Sequence, residues 1–215
     1  MSRPYGGGRD GRFPGFDTVA QRDHWDAVTA GVVLARLGPA PDIRYFTPAE
    51  EAVATSLCDR LLAQEEGARL PIVNLIDARL AESETDGWRY EDMPEDGQAW
   101  RDSLAGLDAD ATTRFGAGFA ACSAEQQDAL IQAVQSLAGE CWHGLPAAHV
   151  WSLWTRYACT AFYSHPDAWS EIGFPGPAYP RGYKNRGLDA REPFEVSDAR
   201  PDDDPVARSG QERSR

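Results

Sequence analysis

The chain has 215 residues and a formal net charge of −13, from 34 acidic against 21 basic side chains, with 42% hydrophobic residues. That is enough chain for one ordinary domain with a sizeable core. The acidic balance argues against a nucleic-acid binder, whose affinity rests on Lys and Arg facing phosphates, and anionic membrane surfaces are disfavoured on the same ground.

Residues 1–20 read as a flexible Gly/Arg/Pro-rich arm, and Gly6, Gly7 and Gly8 lack the strand and the Gly-Lys-Ser/Thr of a phosphate loop. No apolar run or twin-arginine signal stands in the N-terminal stretch, so a cytoplasmic location is expected. A first helix is expected from about Asp23 to Leu37, with Trp25, Val28, Val32 and Ala35 on one face, Val33 and Leu37 beside it, and Gly38-Pro39 as the stop. Thr47-Pro48-Ala49-Glu50 is a capping box: Thr47 caps, Pro48 sits at the first helical position and Glu50 reaches back. The stripe Val53, Ala54, Leu57, Cys58, Leu61 and Leu62 comes after it. Pro71 opens a third helix to Glu82, with Ile72, Leu75, Ile76 and Leu80 inward and Asp77 and Arg79 outward.

Residues 83–95 form a polar loop whose Trp88 and Tyr90 either cap the core or touch a partner. A fourth helix is expected over 96–114, with Trp100, Leu104, Leu107, Ala111 and Phe115 as the inward row and Gly106 as a weak point. Ser123-Ala-Glu-Gln126 is a second capping box, ahead of Leu130, Ile131, Val134, Leu137 and Ala138. Cys141 to Gly144 turn into a sixth helix, 146–164, which is apolar nearly all round and therefore buried in a core or against a partner. That helix carries Arg156 near its centre, and no window holds the roughly 18–20 apolar residues of a membrane span.

The helix ends before His165-Pro166, because a residue preceding proline is biased out of the helical region. Beyond that point the chain alternates Gly173, Pro175, Gly176, Pro177, Pro180 and Gly182 with Trp169, Phe174, Tyr179 and Tyr183. Such a segment is neither helix nor central strand, yet its rings need a surface to cover. It reads as an extended strap docking on its own domain or on another protein. Residues 184–215 form a solvated, disordered acidic and Arg-rich tail. The fold class is all-α, with five to six helices in an irregular orthogonal bundle over 21–183 and no convincing strand pair.

Catalytic chemistry is sparse. Cys58, Cys122, Cys141 and Cys159 fit neither a zinc site nor a disulfide scaffold and read as buried thiols. His143 and His149 are not spaced as a helical metal pair. His165 and Asp167 could form an acid/base pair, the basis of an alternative reading as a small hydrolase or isomerase. The plainer assignment is that Asp167 caps a short turn and His165 closes the helix. Ser152 and Ser164 lack a nucleophile elbow, and no dinucleotide fingerprint succeeds a strand. Catalytic, cofactor-binding and metal residues are therefore all expected to be absent. A stand-alone structural helical domain is the other alternative.

Three segments together resemble the gluconate 2-dehydrogenase subunit 3 family: Tyr45-Phe46-Thr47-Pro48-Ala49-Glu50, Ile76-Asp77-Ala78-Arg79-Leu80-Ala81, and the stretch from Tyr163 to Pro177. The first two are generic helix signals and the third is specific. The resemblance spans roughly residues 40–183. It implies a small helical accessory subunit, without a cofactor of its own, that binds, stabilises or matures an FAD-dependent dehydrogenase of the glucose–methanol–choline class. A cytochrome subunit often completes such complexes. It places Tyr163, Pro166, Trp169, Gly173, Phe174, Pro175, Gly176 and Pro177 at motif positions rather than in an active site. Trp154 and Tyr179, beside them, join the expected partner-binding set. The chain departs from many members in lacking a twin-arginine signal, so it either stays in the cytoplasm with its partner or is exported by a signal in that partner.

Overall fold

A computed structural model describes residues 12–64, 69–184, 187–188 and 190–203. The outer parts of the expected arm and tail, residues 1–11 and 204–215, lie outside the described residues. The fold is all-α: seven α-helices and two short 3-10 segments stand among the described residues, more than the five or six expected. By contact, the chain divides into a central unit, Pro39–Phe162, and a terminal unit that joins Met1–Gly38 to Tyr163–Arg215. This grouping cuts across the compositional segments, and it leaves the boundary in the last turn of the sixth helix.

In the central unit, α2 (Pro48–Leu61) packs against α3 (Ile72–Ala81), α4 (Asp96–Phe115) and α5 (Ala124–Ser136). Both capping boxes form: Thr47 N donates to Glu50 at 2.8 Å, and Ser123 N to Gln126 at 3.0 Å. The apolar stripes behind them go inward as expected at Val53, Ala54, Leu57, Cys58, Leu130, Ile131 and Val134. Leu137 is half-buried, and Ala138 is exposed at a positive φ just past the end of α5.

Asp77 corrects the reading of α3. It is fully buried rather than outward, and its carboxylate accepts from the backbone N–H groups of Arg44 (2.7 Å), Tyr45 (2.9 Å) and Phe46 (2.8 Å). A buried carboxylate is tolerated only with such partners. Arg79 is also not a free surface residue: it pairs with Asp86 at 2.8 Å and lies over the Tyr157 ring at 4.9 Å.

α4 buries Trp100, Leu104, Leu107 and Ala111, while Phe115 is only half-buried. It stops at Gly116, which is left-handed (φ 72). The 3-10 turn Phe119–Ala121 is held by Asp108, whose carboxylate accepts from Phe119 N at 2.8 Å. Gly106 is not a weak point but a contact. A Cβ there would stand 2.8 Å from Cη2 of Trp142, so the missing side chain admits the indole. Gly106→Ala should cost about 1–3 kcal/mol through overpacking, read as a lower midpoint in urea unfolding.

Residues 141–146 contain a pairing not expected from sequence. β1 (Cys141–Trp142) meets β2 (Leu145–Pro146) antiparallel, with Trp142 opposite Leu145. His143 (φ 47) and Gly144 (φ 81) make the connecting turn, both left-handed as a tight two-residue hairpin requires. α6 (Ala147–Ser164) comes next and buries Val150, Leu153, Trp154, Tyr157 and Ala158. Its rings lock it to α4: Trp154 Nε1 donates to Ser103 Oγ at 2.9 Å, and Tyr157 meets Trp100 edge-on at 5.9 Å. Cys58 and Cys122 are buried as expected, but Cys141 and Cys159 are exposed. Burial pushes the Cys58 thiol far up, so it stays protonated and behaves as a small hydrophobe.

In the terminal unit a 3-10 segment, Thr18–His24, precedes α1 (Ala27–Ala35). The expected inner face of the first helix is corrected here. Val28 and Val32 point to solvent, whereas Val33 and Trp25 are buried. Asp26 caps the helix through Thr29 N at 2.7 Å, so Trp25 lies before it and belongs to no helical face.

Candidate docking surface

The strap lies in the terminal unit and starts with a helix, a correction to its reading as wholly extended. α7 (Pro166–Glu171) begins at His165, whose Nδ1 accepts from Asp167 N at 3.2 Å. The imidazole thus works as a helix N-cap, and its Nδ1 also lies 3.8 Å from Asp167 Oδ2.

Trp169, from α7, is buried and forms a small core with Trp25 and Val33, with Ala30 against it. Its Nε1 donates to Tyr163 O at 2.6 Å, and the Arg36 guanidinium lies over its ring at 5.7 Å. Phe174 packs edge-on against Trp169 at 5.4 Å and donates its N–H to Trp169 O at 2.9 Å. Beyond α7 the chain is tied to residues 13–25. Thr18 Oγ1 donates to Phe174 O at 2.7 Å, and Thr18 N to Ser170 Oγ at 3.1 Å. Gly173 and Gly176 are left-handed (φ 69 and 79), and a Cβ on either would meet Phe13 at 2.5 Å or Trp25 at 2.4 Å. Only glycine admits those rings so close at that φ.

The strap is therefore neither wholly free nor wholly internal. Trp169, Pro166, Pro175 and Gly176 are buried, and Gly173 and Pro177 are half-buried. Tyr163, Phe174 and Tyr179 are exposed, Tyr179 to 66%. Trp154, grouped with the strap by its helix, is instead a core residue of the central unit with no exposed surface. Beside Phe174 runs a groove of about 430 Å³ lined by Phe13, Ile172, Phe174, Tyr183, Arg191 and Glu195 among others. Ile172 and Tyr183 are exposed there, at 45% and 59%. A strip of apolar side chains that stays wet while its backbone is pinned is a surface prepared for contact.

Ile172 and Phe13 were not among the sequence candidates. Phe13 stands in an aperiodic Gly/Pro-rich stretch and gives no local signal, while Ile172 is a lone apolar residue between α7 and Gly173. At the wall of the groove, Arg12 bridges to Asp198 at 2.7 Å and to the Arg200 carbonyl at 2.9 Å, so residues 198–200 belong to this unit's framework.

A family model described as gluconate 2-dehydrogenase subunit 3 matches residues 48–176, more than half of the chain. The chain belongs to the gluconate 2-dehydrogenase subunit 3 family. No curated protein and no solved structure matches it. The match takes in every helix of the central unit and ends in the strap at Gly176, so the pinned glycines and Phe174 fall inside it while Tyr179 and Tyr183 fall beyond it. By the family description, this subunit 3 chain is a component of a multi-subunit dehydrogenase. Among its described residues, no helix is long and apolar enough to cross a membrane.

Proposed function

We propose that this subunit 3 chain is a non-catalytic accessory subunit. Through the groove and exposed rings of its terminal unit it would bind, stabilise or mature an FAD-dependent dehydrogenase of the glucose–methanol–choline class. On this reading the flavin and the redox chemistry belong to the partner, and the present chain contributes apolar contact surface. The observation that carries the reading is the exposed Ile172, Phe174 and Tyr183 on a strap whose backbone is held by Thr18 and whose turns are set by Gly173 and Gly176. Pre-ordering such a surface lowers the entropy cost of association.

The experiment is purification of the tagged full-length chain from its native host. A flavoprotein, recognised by its flavin absorbance, is expected to accompany it, and its absence overturns the proposal. Ile172→Ala and Phe174→Ala together should weaken that complex roughly 10–30-fold, the scale of a contact hot spot. They should lower the stability of the isolated chain by about 1–2 kcal/mol, because both side chains are half-exposed and Phe174 gives up its edge contact with Trp169. Trp169→Ala serves as the opposite control, since that ring is core and its loss acts on folding first.

A further inference from the structure

The central unit carries a second aromatic surface, in the loop 83–95. Trp88 and Tyr90 meet edge-on at 5.3 Å and remain 48% and 38% exposed. They are not loose. Tyr90 stacks on His149 of α6 at 3.6 Å with the ring planes 2° apart, and His149 Nδ1 lies 2.9 Å from Asp92. Arg79 and Arg156 both bond Asp86 at the other end of the loop. Burial pushes the Asp86 carboxyl up, but these two guanidinium bonds outweigh it and hold the group below its usual range. Burying Met93 fixes the loop's third point. An ion-paired aspartate, a histidine stack and a buried anchor thus hold two aromatic rings out to water.

The presented surface is acidic on balance. Within the loop Glu84, Asp86, Glu91, Asp92 and Glu95 stand against Arg89 alone, and Arg79 and Arg156 reach in from α3 and α6. Two contacts within the unit show what these groups accept. The Arg156 guanidinium lies over the Trp88 ring at 4.9 Å, and Arg89 Nη1 lies 2.7 Å from Glu95. Thr85, Gly87, Trp88, Arg89, Glu95 and Asp96 line an open recess of about 240 Å³ at this point. Indole face and carboxylate side by side are the two partners a planar guanidinium uses best, and an ammonium uses the ring less well.

We propose that the Trp88–Tyr90 loop is a docking surface for an arginine-bearing segment of a protein partner. The incoming guanidinium sits against Trp88, and its charge is met by Glu95, which exchanges its present bond to Arg89. Charge complementarity with the acidic rim selects this occupant, and the proposal is independent of the strap and of the flavoprotein assignment.

The test uses the full chain and two fluorescently labelled peptides of equal charge, nona-arginine and nona-lysine. The wild type should prefer the arginine peptide roughly two- to fivefold, the scale of an exposed cation–π contact. Trp88→Ala should abolish that preference. Asp202→Asn with Asp203→Asn, which removes charge elsewhere, should leave it intact. Glu95→Gln should weaken the arginine peptide without touching the ring, and it keeps the test alive should Trp88→Ala misfold. Equal binding of the two peptides by the wild type overturns the proposal, as does an unchanged preference in Trp88→Ala. Saturable binding of methyl glucoside that depends on Trp88, without an arginine preference, would make the surface a sugar platform and overturn it too.

Discussion

Asp77→Ala should lower the stability of the central unit by about 3–5 kcal/mol, the cost of leaving buried polar groups without their charged partner. The side chain has no exposed surface, and its two oxygens accept three consecutive backbone N–H groups, from Arg44, Tyr45 and Phe46. Those donors lie in the segment that leads into the Thr47 capping box, and Phe46 itself is buried against Trp100 at 6.1 Å. Removing the carboxylate strands three donors at once and frees the chain that delivers Phe46 to the core. Asp77→Asn should be nearly as damaging, because one of its two positions then presents N–H to N–H. The change appears in thermal unfolding as a Tm roughly 10 °C lower. A loss below about 1 kcal/mol for both variants would mean that water satisfies the three donors and that Asp77 organises nothing.

The same residue shows where sequence reading reaches and where it stops. Thr47 with Glu50 and Ser123 with Gln126 are legible because donor and acceptor sit three residues apart on one turn. Asp77 is not legible, since its donors come from more than thirty residues earlier in the chain and a helical wheel sees only a polar side chain. α1 fails for a different reason. Ala27–Ala35 is apolar all round except for Thr29, so its periodicity carries no phase, and counting Trp25 into the helix rotates the supposed inner face onto Val28 and Val32. Gly106 looks like a helix defect until Trp142, brought over by the hairpin at 141–146, is found against it. The strap is half legible. Its glycines and rings announce an irregular segment with a surface to cover, but Phe13, Thr18 and Trp25, which supply part of that surface, stand some 150 residues away in sequence.

Gly176→Ala should cost the terminal unit about 2–4 kcal/mol, in two separable parts. One is the left-handed φ of +79, which costs any side chain about 1 kcal/mol. The other is steric: the new Cβ would stand 2.4 Å from Cζ2 of Trp25, a buried ring in the cluster with Val33 and Trp169, and moving it costs about 1–3 kcal/mol. Gly182→Ala isolates the first part, because that residue is also left-handed (φ 64) but has nothing within 4 Å of its would-be Cβ. The expected order is therefore Gly176→Ala well below Gly182→Ala, measured as loss of amide protection over residues 163–184 by hydrogen exchange. Equal losses would mean that Trp25 yields freely and that the strap is set by backbone conformation alone. The order also bears on the proposed function. Thr18 and Trp25 hold the backbone that presents Phe174, so an alanine at Gly176 should release the proposed flavoprotein partner although it replaces no exposed ring. Gly182→Ala leaves that anchor in place, and the complex should survive it.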